Sequence, residues 1–518
     1  MDVERPEIEP RRLSADVVVI GGGVAGLVAA RECAKVGLST VIVERHQGVG
    51  GCMRRVEVAE LAVDGGATSF RAGVAGLAEL LEELGLDDDA VRPADGRAWI
   101  GGGDAPVRMP ADTLFGVPAN PLAEDVREVI GGRGTVRAWS DRVRPILRIG
   151  PARNFGDLVR SRMGDAVLDR LVAPVIRGAY RTDPDRIDLD ALVPGLNQTM
   201  TRTGSLSGGV AQYLHEGREP ERASLRGGMS RLVDALVADL ARLGARLFLE
   251  HPVASLERAV DAGGSPRWLV RADFEGAIEV PGQGEVEPEP ATGPTASAPL
   301  EAPADPRLGP LEVEARYAIV AADARTAVPL LEHADEAWQA LAAETFETDA
   351  VETVVLVCDA PALDAEPKGV VFAAHGSPVR ASLLVDESVR WAWLGEQAGP
   401  GIHVLRLSYD VAAQPDLAEL DDDALLELAF GDAEAMLGAS IDRAKLLGWS
   451  RTAVGDSASE LLLGVRERNE RLRSMFELDP TLAVTGSWLA GTGLARVVPD
   501  AQAAAHRIRR DAFRVAPA

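Results

Sequence analysis

The chain has 518 residues, too many for one ordinary hydrophobic core and enough for two or three domains. Its 54 basic and 80 acidic residues leave a net charge of −26 with no basic tail, which argues against a nucleic-acid partner, and the three irregularly spaced cysteines, Cys33, Cys52 and Cys358, form neither a disulfide framework nor a metal site. No apolar run reaches the roughly 18 residues of a membrane span. The opening MDVERPEIEPRRLSADVVVI has neither the apolar stretch nor the small-residue cleavage site of a signal peptide, so a cytoplasmic protein is expected.

Residues 16 to 44 read as strand, glycine turn, helix and strand: DVVVI is a buried-strand run, GGGVAG a turn, GLVAARECAKVGL helical and STVIVE a second strand. In that setting Gly21, Gly23 and Gly26 form GxGxxG, with Gly22, Val24 and Ala25 between them. The glycines permit a tight turn and close approach of a pyrophosphate, and the helix start offers unpaired N–H donors to it. Glu44 ends the second strand, where a carboxylate can accept hydrogen bonds from the ribose of an adenosine half, with Arg45 beside it. This much does not separate NAD from FAD.

Residues 97 to 122 are loop-rich, and helical patterns dominate 123 to 190, as in FGDLVRSRMGDAVLDRLVAPVI, where Phe155, Leu158, Val159, Met163, Val167, Leu168, Leu171 and Val172 keep helical spacing. An amphipathic segment, MSRLVDALVADLARLGARLFLE, then leads to His251, Pro252 and Val253 at a strand edge. Residues 275 to 312, rich in Pro, Glu, Ala and Gly, are expected to be a disordered loop widening a hairpin between PRWLVRADF and EARYAIVAAD. Four strand-like runs between 351 and 410 predict an antiparallel sheet.

Past Glu44, the run VERHQGVGGCMRRVEVAELAVDGGATSF contains Gly50, Gly51, Arg54 and then Gly66, Ala67, Thr68 and Ser69; it resembles the extended FAD signature of the flavin amine oxidase and protoporphyrinogen oxidase superfamily. TLAVTGSWLAGTGLARVV resembles the family's closing motif, which implies that Gly491, Thr492 and Gly493 lie against the flavin. The same resemblance implies adenine beside Val253 and the flavin near Trp449. MPADTLFGVPANPLAEDVREVIG, DLVRSRMGDAVLDRLVAPVIRGAYRTDPDRIDLDALVPGL and SLRGGMSRLVDAL are similar to segments of the protoporphyrinogen and coproporphyrinogen III oxidases of haem biosynthesis. The likeness spans most of residues 15 to 510. It departs from the family at Val465, where a histidine is usual, and in KGVVFAAHG.

The fold so implied is α/β: a discontinuous Rossmann-type FAD-binding domain (14–96, 224–330 and 446–518) and an antiparallel-sheet substrate domain (97–223 and 331–445) carrying a helical insertion at 123–190. The activity implied is FAD-dependent oxidation of coproporphyrinogen III, and with it protoporphyrinogen IX, in three two-electron steps that return electrons to dioxygen, with FAD held non-covalently. No side-chain nucleophile is required; Arg97 lies near where the family places an arginine that engages a substrate carboxylate. Independently of the family, residues 127 to 186 hold 13 Arg, no Lys and 7 acidic residues, a basic stretch suited to an acidic tetrapyrrole but also to helices with solvated, ion-paired faces. An amine oxidase would use a lysine near the flavin, and only Lys35, Lys368 and Lys445 exist. A polyene desaturase would need a long apolar tunnel, and a non-catalytic FAD scaffold is the remaining alternative. Oligomeric state is not encoded in any of these patterns.

Overall fold

The computed structural model describes residues 9–94, 96–103, 105–144, 152–218, 221–275, 309–343, 351–455 and 461–514. Two seven-stranded sheets organise them. In the first, the opening strand Arg11–Ile20 lies between Thr40–Val43 and Leu311–Val320, parallel to both, and Arg246–Phe248 extends the sheet beyond Thr40–Val43. Leu482–Val484 adds in parallel to one end of Leu311–Val320, while Pro266–Ala272 and Val253–Val260 continue the other end antiparallel. The unbroken apolar run VVVI needs two covered faces, because successive side chains point to opposite sides of a strand. Val17 and Val19 pack under the helices Val24–Ala34, Ser230–Arg242 and Leu494–Ala512, and Val18 and Ile20 pack on the other face with Leu331, Trp338 and Phe476.

The second sheet runs Leu446–Val454, Val351–Asp359, Ile402–Asp410, Leu383–Asp386, Val370–Ala373, Trp99–Gly101, Val107–Arg108. It is antiparallel except where Val370–Ala373 pairs in parallel with Trp99–Gly101. Val354, Leu356 and Cys358 pack beneath the helix Asp422–Leu437, and Val355 and Val357 pack on the opposite face with Trp391 and Leu394. The helical insertion carries a core of its own, in which all eight apolar residues picked out by helical spacing in FGDLVRSRMGDAVLDRLVAPVI are buried.

Three expected boundaries move. The helices continue past 190 through Leu196–Thr203 and Leu206–His215. The division at 330/331 falls inside the helix Ala324–Ala334, which with Trp338 and Leu341 belongs to the first sheet's packing. Leu446–Val454, expected with the cofactor domain, pairs along Val351–Asp359 and so completes the second sheet. Of the loop expected at 275–312, residues 276–308 lie outside the described residues, and Leu311 already begins a strand. The strands on either side of it pair antiparallel, so the segment connects the two arms of a hairpin.

Candidate active site

A cavity of about 730 Å³ runs from the turn after the opening strand, across the loop Gly50–Arg54, to the face of the second sheet. That volume is in the range of small-molecule and cofactor sites. The turn is shaped by contacts that only glycine tolerates. Gly21 has φ +107°, and a Cβ on it would lie 2.7 Å from the Ala321 carbonyl oxygen; a Cβ on Gly26 would lie 1.9 Å from the Gly21 oxygen. The helix start is thereby pressed onto the strand end, with Gly23 as an N-cap that offers no side chain to the free N–H groups of the first turn. The last helix, Leu494–Ala512, likewise starts from a glycine, Gly493, with no side-chain cap. Thus two uncapped helix starts border one cavity, a donor arrangement suited to a diphosphate.

Glu44 is only 8% exposed. Its Oε2 accepts the Gly22 N–H at 2.6 Å and its Oε1 accepts the His46 N–H at 2.9 Å, leaving further lone pairs for a sugar hydroxyl. Beside it, Arg45, His46, His251, Pro252, Val253, Asp323 and Thr326 complete that end of the cavity. Asp64, in the DGGA run, is buried and accepts the Met229 N–H through both oxygens, at 2.9 and 3.0 Å, so the SLRGGMSRL segment is tied to the cavity wall at Met229. Burial pushes the Asp64 carboxyl up to about 6, opposed by the Met229 N–H and by Arg406.

Most of the residues expected to bind the cofactor meet here: Gly21, Gly23, Val24, Ala25, Glu44, Arg45, Gly50, Gly51, Arg54, Gly66, Ala67, Ser69, Val253, Thr492 and Gly493 line the cavity. Gly22, Gly26, Thr68 and Gly491 sit just behind it. Gly22 anchors Glu44, Gly26 packs on Gly21, Thr68 lies between two lining residues, and the Gly491 N–H closes the short helix Ser487–Ala490. Trp449 is elsewhere: it opposes Leu356 across the second sheet and packs into that sheet's core. Arg97 is elsewhere too, exposed and paired with Asp125 at 3.0 Å. The basic stretch 127–186 turns inward on itself. Arg162 pairs with buried Asp141, Arg160 with Asp185, Arg177 with Asp183, and Arg137 donates to the carbonyls of Arg160, Ser161 and Arg162.

The second sheet contributes residues that motif reading missed. Thr353 and Ser408, opposite each other on neighbouring strands, reach the cavity with Val351, Ala453 and Gly455. Arg406, 5% exposed, bonds through Nε to Glu387 at 2.9 Å and donates to the Gly66 carbonyl at 3.2 Å, bolting the DGGA loop to the second sheet. An arginine flanked by leucines in the mostly apolar run IHVLRL was the available signal. Arg181 also reaches the cavity, from the end of the helix Ala173–Tyr180. Lys368 does not line it; its ammonium pairs with Glu366 and lies over the Trp99 ring. No cluster of three or more metal-ligating side chains occurs among the described residues, and no described helix is long and apolar enough to cross a membrane.

Comparison with known proteins follows the same outline. A family model described as flavin containing amine oxidoreductase matches residues 24–509. A coproporphyrinogen III oxidase of Mycobacterium bovis is 26% identical over 492 residues, covering 93% of this chain and 94% of that one. A chloroplastic protoporphyrinogen oxidase of Oryza sativa subsp. japonica is 28% identical over 302 residues, 54% of this chain and 53% of that one. Among solved structures, one from Exiguobacterium sp. 255-15, provisionally named a protoporphyrinogen oxidase, superposes with a TM-score of 0.75 at 20% identity, covering 97% of this chain and 100% of that one; at that identity the likeness speaks for the fold.

Proposed function

The chain belongs to the family of flavin containing amine oxidoreductases and is an FAD-dependent oxidoreductase, and from that premise we propose that it oxidises a porphyrinogen of haem biosynthesis to the porphyrin. The proposed substrate is coproporphyrinogen III, with protoporphyrinogen IX as a second, and dioxygen is the proposed acceptor. FAD fits the donor set: two uncapped helix starts for its diphosphate, Glu44 for its ribose, and a crevice with a cradle that a Cβ at Gly21 or Gly26 would fill. When bound, FAD supplies a two-electron acceptor. The chain's part is to hold the cofactor by those groups, to present the substrate from the second sheet, and to keep competing solvent off the reacting face.

The observation that carries the reading is the charge of the cavity's far wall. From the second sheet come two hydroxyls, Thr353 and Ser408, and the guanidinium of Arg406, which Glu387 already neutralises; Arg181 adds a guanidinium with no carboxylate partner among the described residues. Such a wall repels an ammonium substrate and favours one bearing carboxylates. The position of Lys368, outside the cavity, also gives no support to amine oxidation of the kind that uses a lysine near the flavin.

Aerobic turnover of the flavin-loaded protein with coproporphyrinogen III, protoporphyrinogen IX and putrescine, followed by porphyrin fluorescence and peroxide release, tests this. Porphyrin formation matched by peroxide is expected with the first two and no turnover with the amine. Oxidation of putrescine with both porphyrinogens inert would overturn the proposal.

A further inference from the structure

Arg181 differs from every other described arginine of the insertion that has been traced to a partner. It caps the helix Ala173–Tyr180 with φ 52° and ψ 34°, a left-handed conformation that glycine or asparagine adopts readily and a long side chain does not. Its N–H closes the helix onto the Arg177 carbonyl, which glycine would do equally well. Its Nε is buried without a hydrogen-bond partner, and its guanidinium has neither hydrogen bond nor ion pair among the described residues. Yet it lines the same cavity as Thr353, Arg406 and Ser408. A strained backbone and an uncompensated buried donor, both at one residue and both facing a cavity, are unfavourable for the empty protein. They are accounted for if a ligand brings the missing acceptor.

Arg406 does not need one, because Glu387 and the Gly66 carbonyl already hold it. Arg97 is outside the cavity and paired with Asp125. A guanidinium takes a carboxylate through two parallel N–H···O bonds, a geometry that an ammonium cannot copy. We propose that Arg181 receives a carboxylate substituent of the substrate and thereby sets a preference for acidic over neutral macrocycles; this rests on the porphyrinogen reading given above.

The test uses the FAD-loaded protein and two static ligands, coproporphyrin III and its tetramethyl ester, with affinities from fluorescence titration. Wild type is expected to favour the free acid. Arg181→Gly, which suits the left-handed backbone, is expected to weaken the acid by about 10- to 100-fold, the factor for one lost charge-assisted pair, and to leave the ester unchanged. Its thermal stability should match or exceed that of wild type, whereas a merely structural Arg181 predicts a loss. Arg181→Lys should restore part of the acid's affinity, and in turnover the glycine variant should raise KM with little change in kcat. Arg97→Ala is the control, with affinities as in wild type.

If Arg181→Gly binds the acid as tightly as wild type does, or weakens FAD instead of the porphyrin, the assignment of Arg181 falls and the porphyrinogen reading stands. If wild type binds neither ligand, the porphyrinogen reading itself falls.

Discussion

Replacing Glu44 by glutamine keeps the shape of the side chain and exchanges one acceptor oxygen for a donor. In the wild-type protein one carboxylate oxygen accepts the Gly22 N–H at 2.6 Å and the other accepts the His46 N–H at 2.9 Å and meets the His46 ring Nδ1 at 2.7 Å, in a nearly solvent-free position. An amide satisfies one of them and turns an NH₂ toward the other, so one charge-assisted hydrogen bond, about 1.5–3 kcal/mol, is lost. Because the Gly22 end of that pair forms the turn proposed to receive the diphosphate, the loss is expected in cofactor binding, as roughly 10- to 150-fold weaker FAD. Flavin-depleted Glu44→Gln titrated with FAD by fluorescence quenching measures it, with ADP as a probe of the adenosine half and FMN as a probe of the flavin half. FAD and ADP should weaken in parallel while FMN is unaffected. A change in FAD of less than twofold, or equal losses for ADP and FMN, would refute the reasoning.

Gly26→Ala sets a methyl 1.9 Å from the Gly21 oxygen, so the helix must move off the strand; a loss of about 1–3 kcal/mol in stability and little retained flavin after purification are expected, readable from the melting curve and the visible spectrum. Asp64 has a folded-state value of about 6 against an ordinary 3.8, so its contribution to stability is fully present below about pH 4 and is lost as the pH rises through 6. Wild type should therefore lose about 2 kcal/mol relative to Asp64→Asn between pH 4 and 7, and urea midpoints that stay parallel over this range would contradict it. Trp449→Leu trims a side chain packed in the second sheet's core; it should lower the melting temperature while FAD affinity stays within twofold, and a large loss of FAD affinity would show that the indole acts on the cofactor after all.

The end of the cavity around Gly21 and Glu44 was legible because its residues lie on contiguous backbone. A strand, a glycine turn and a helix start lie within a few residues of one another, and the acidic strand end follows at once. The second core was legible from helical spacing, since the insertion buries the face that its apolar residues mark. What spacing could not reveal was the far wall of the cavity. Thr353, Arg406 and Ser408 come from strands whose register is decided by sheet pairing, and which face a residue takes there depends on that register. Arg181 was hidden among many arginines; its left-handed backbone, its unpartnered Nε and its place on the cavity separate it from neighbours such as Arg160, Arg162 and Arg177, which are paired within the insertion. Trp449, expected near the flavin, sits on a strand that joins the second sheet, where it opposes Leu356 and packs against that sheet's core.

The strand Leu482–Val484 and the helix Leu494–Ala512 close a sheet that begins at Arg11. Seen from the ribosome, the crevice cannot exist until almost the whole polypeptide has emerged. At ~5–20 residues per second the opening strand and its helix wait on the order of half a minute or more for the partners that cover them. During that interval the face of Val17 and Val19 lacks the cover that the last helix supplies. Flavin supply then bears on yield after synthesis, since FAD can enter only a finished chain and stabilises only that form.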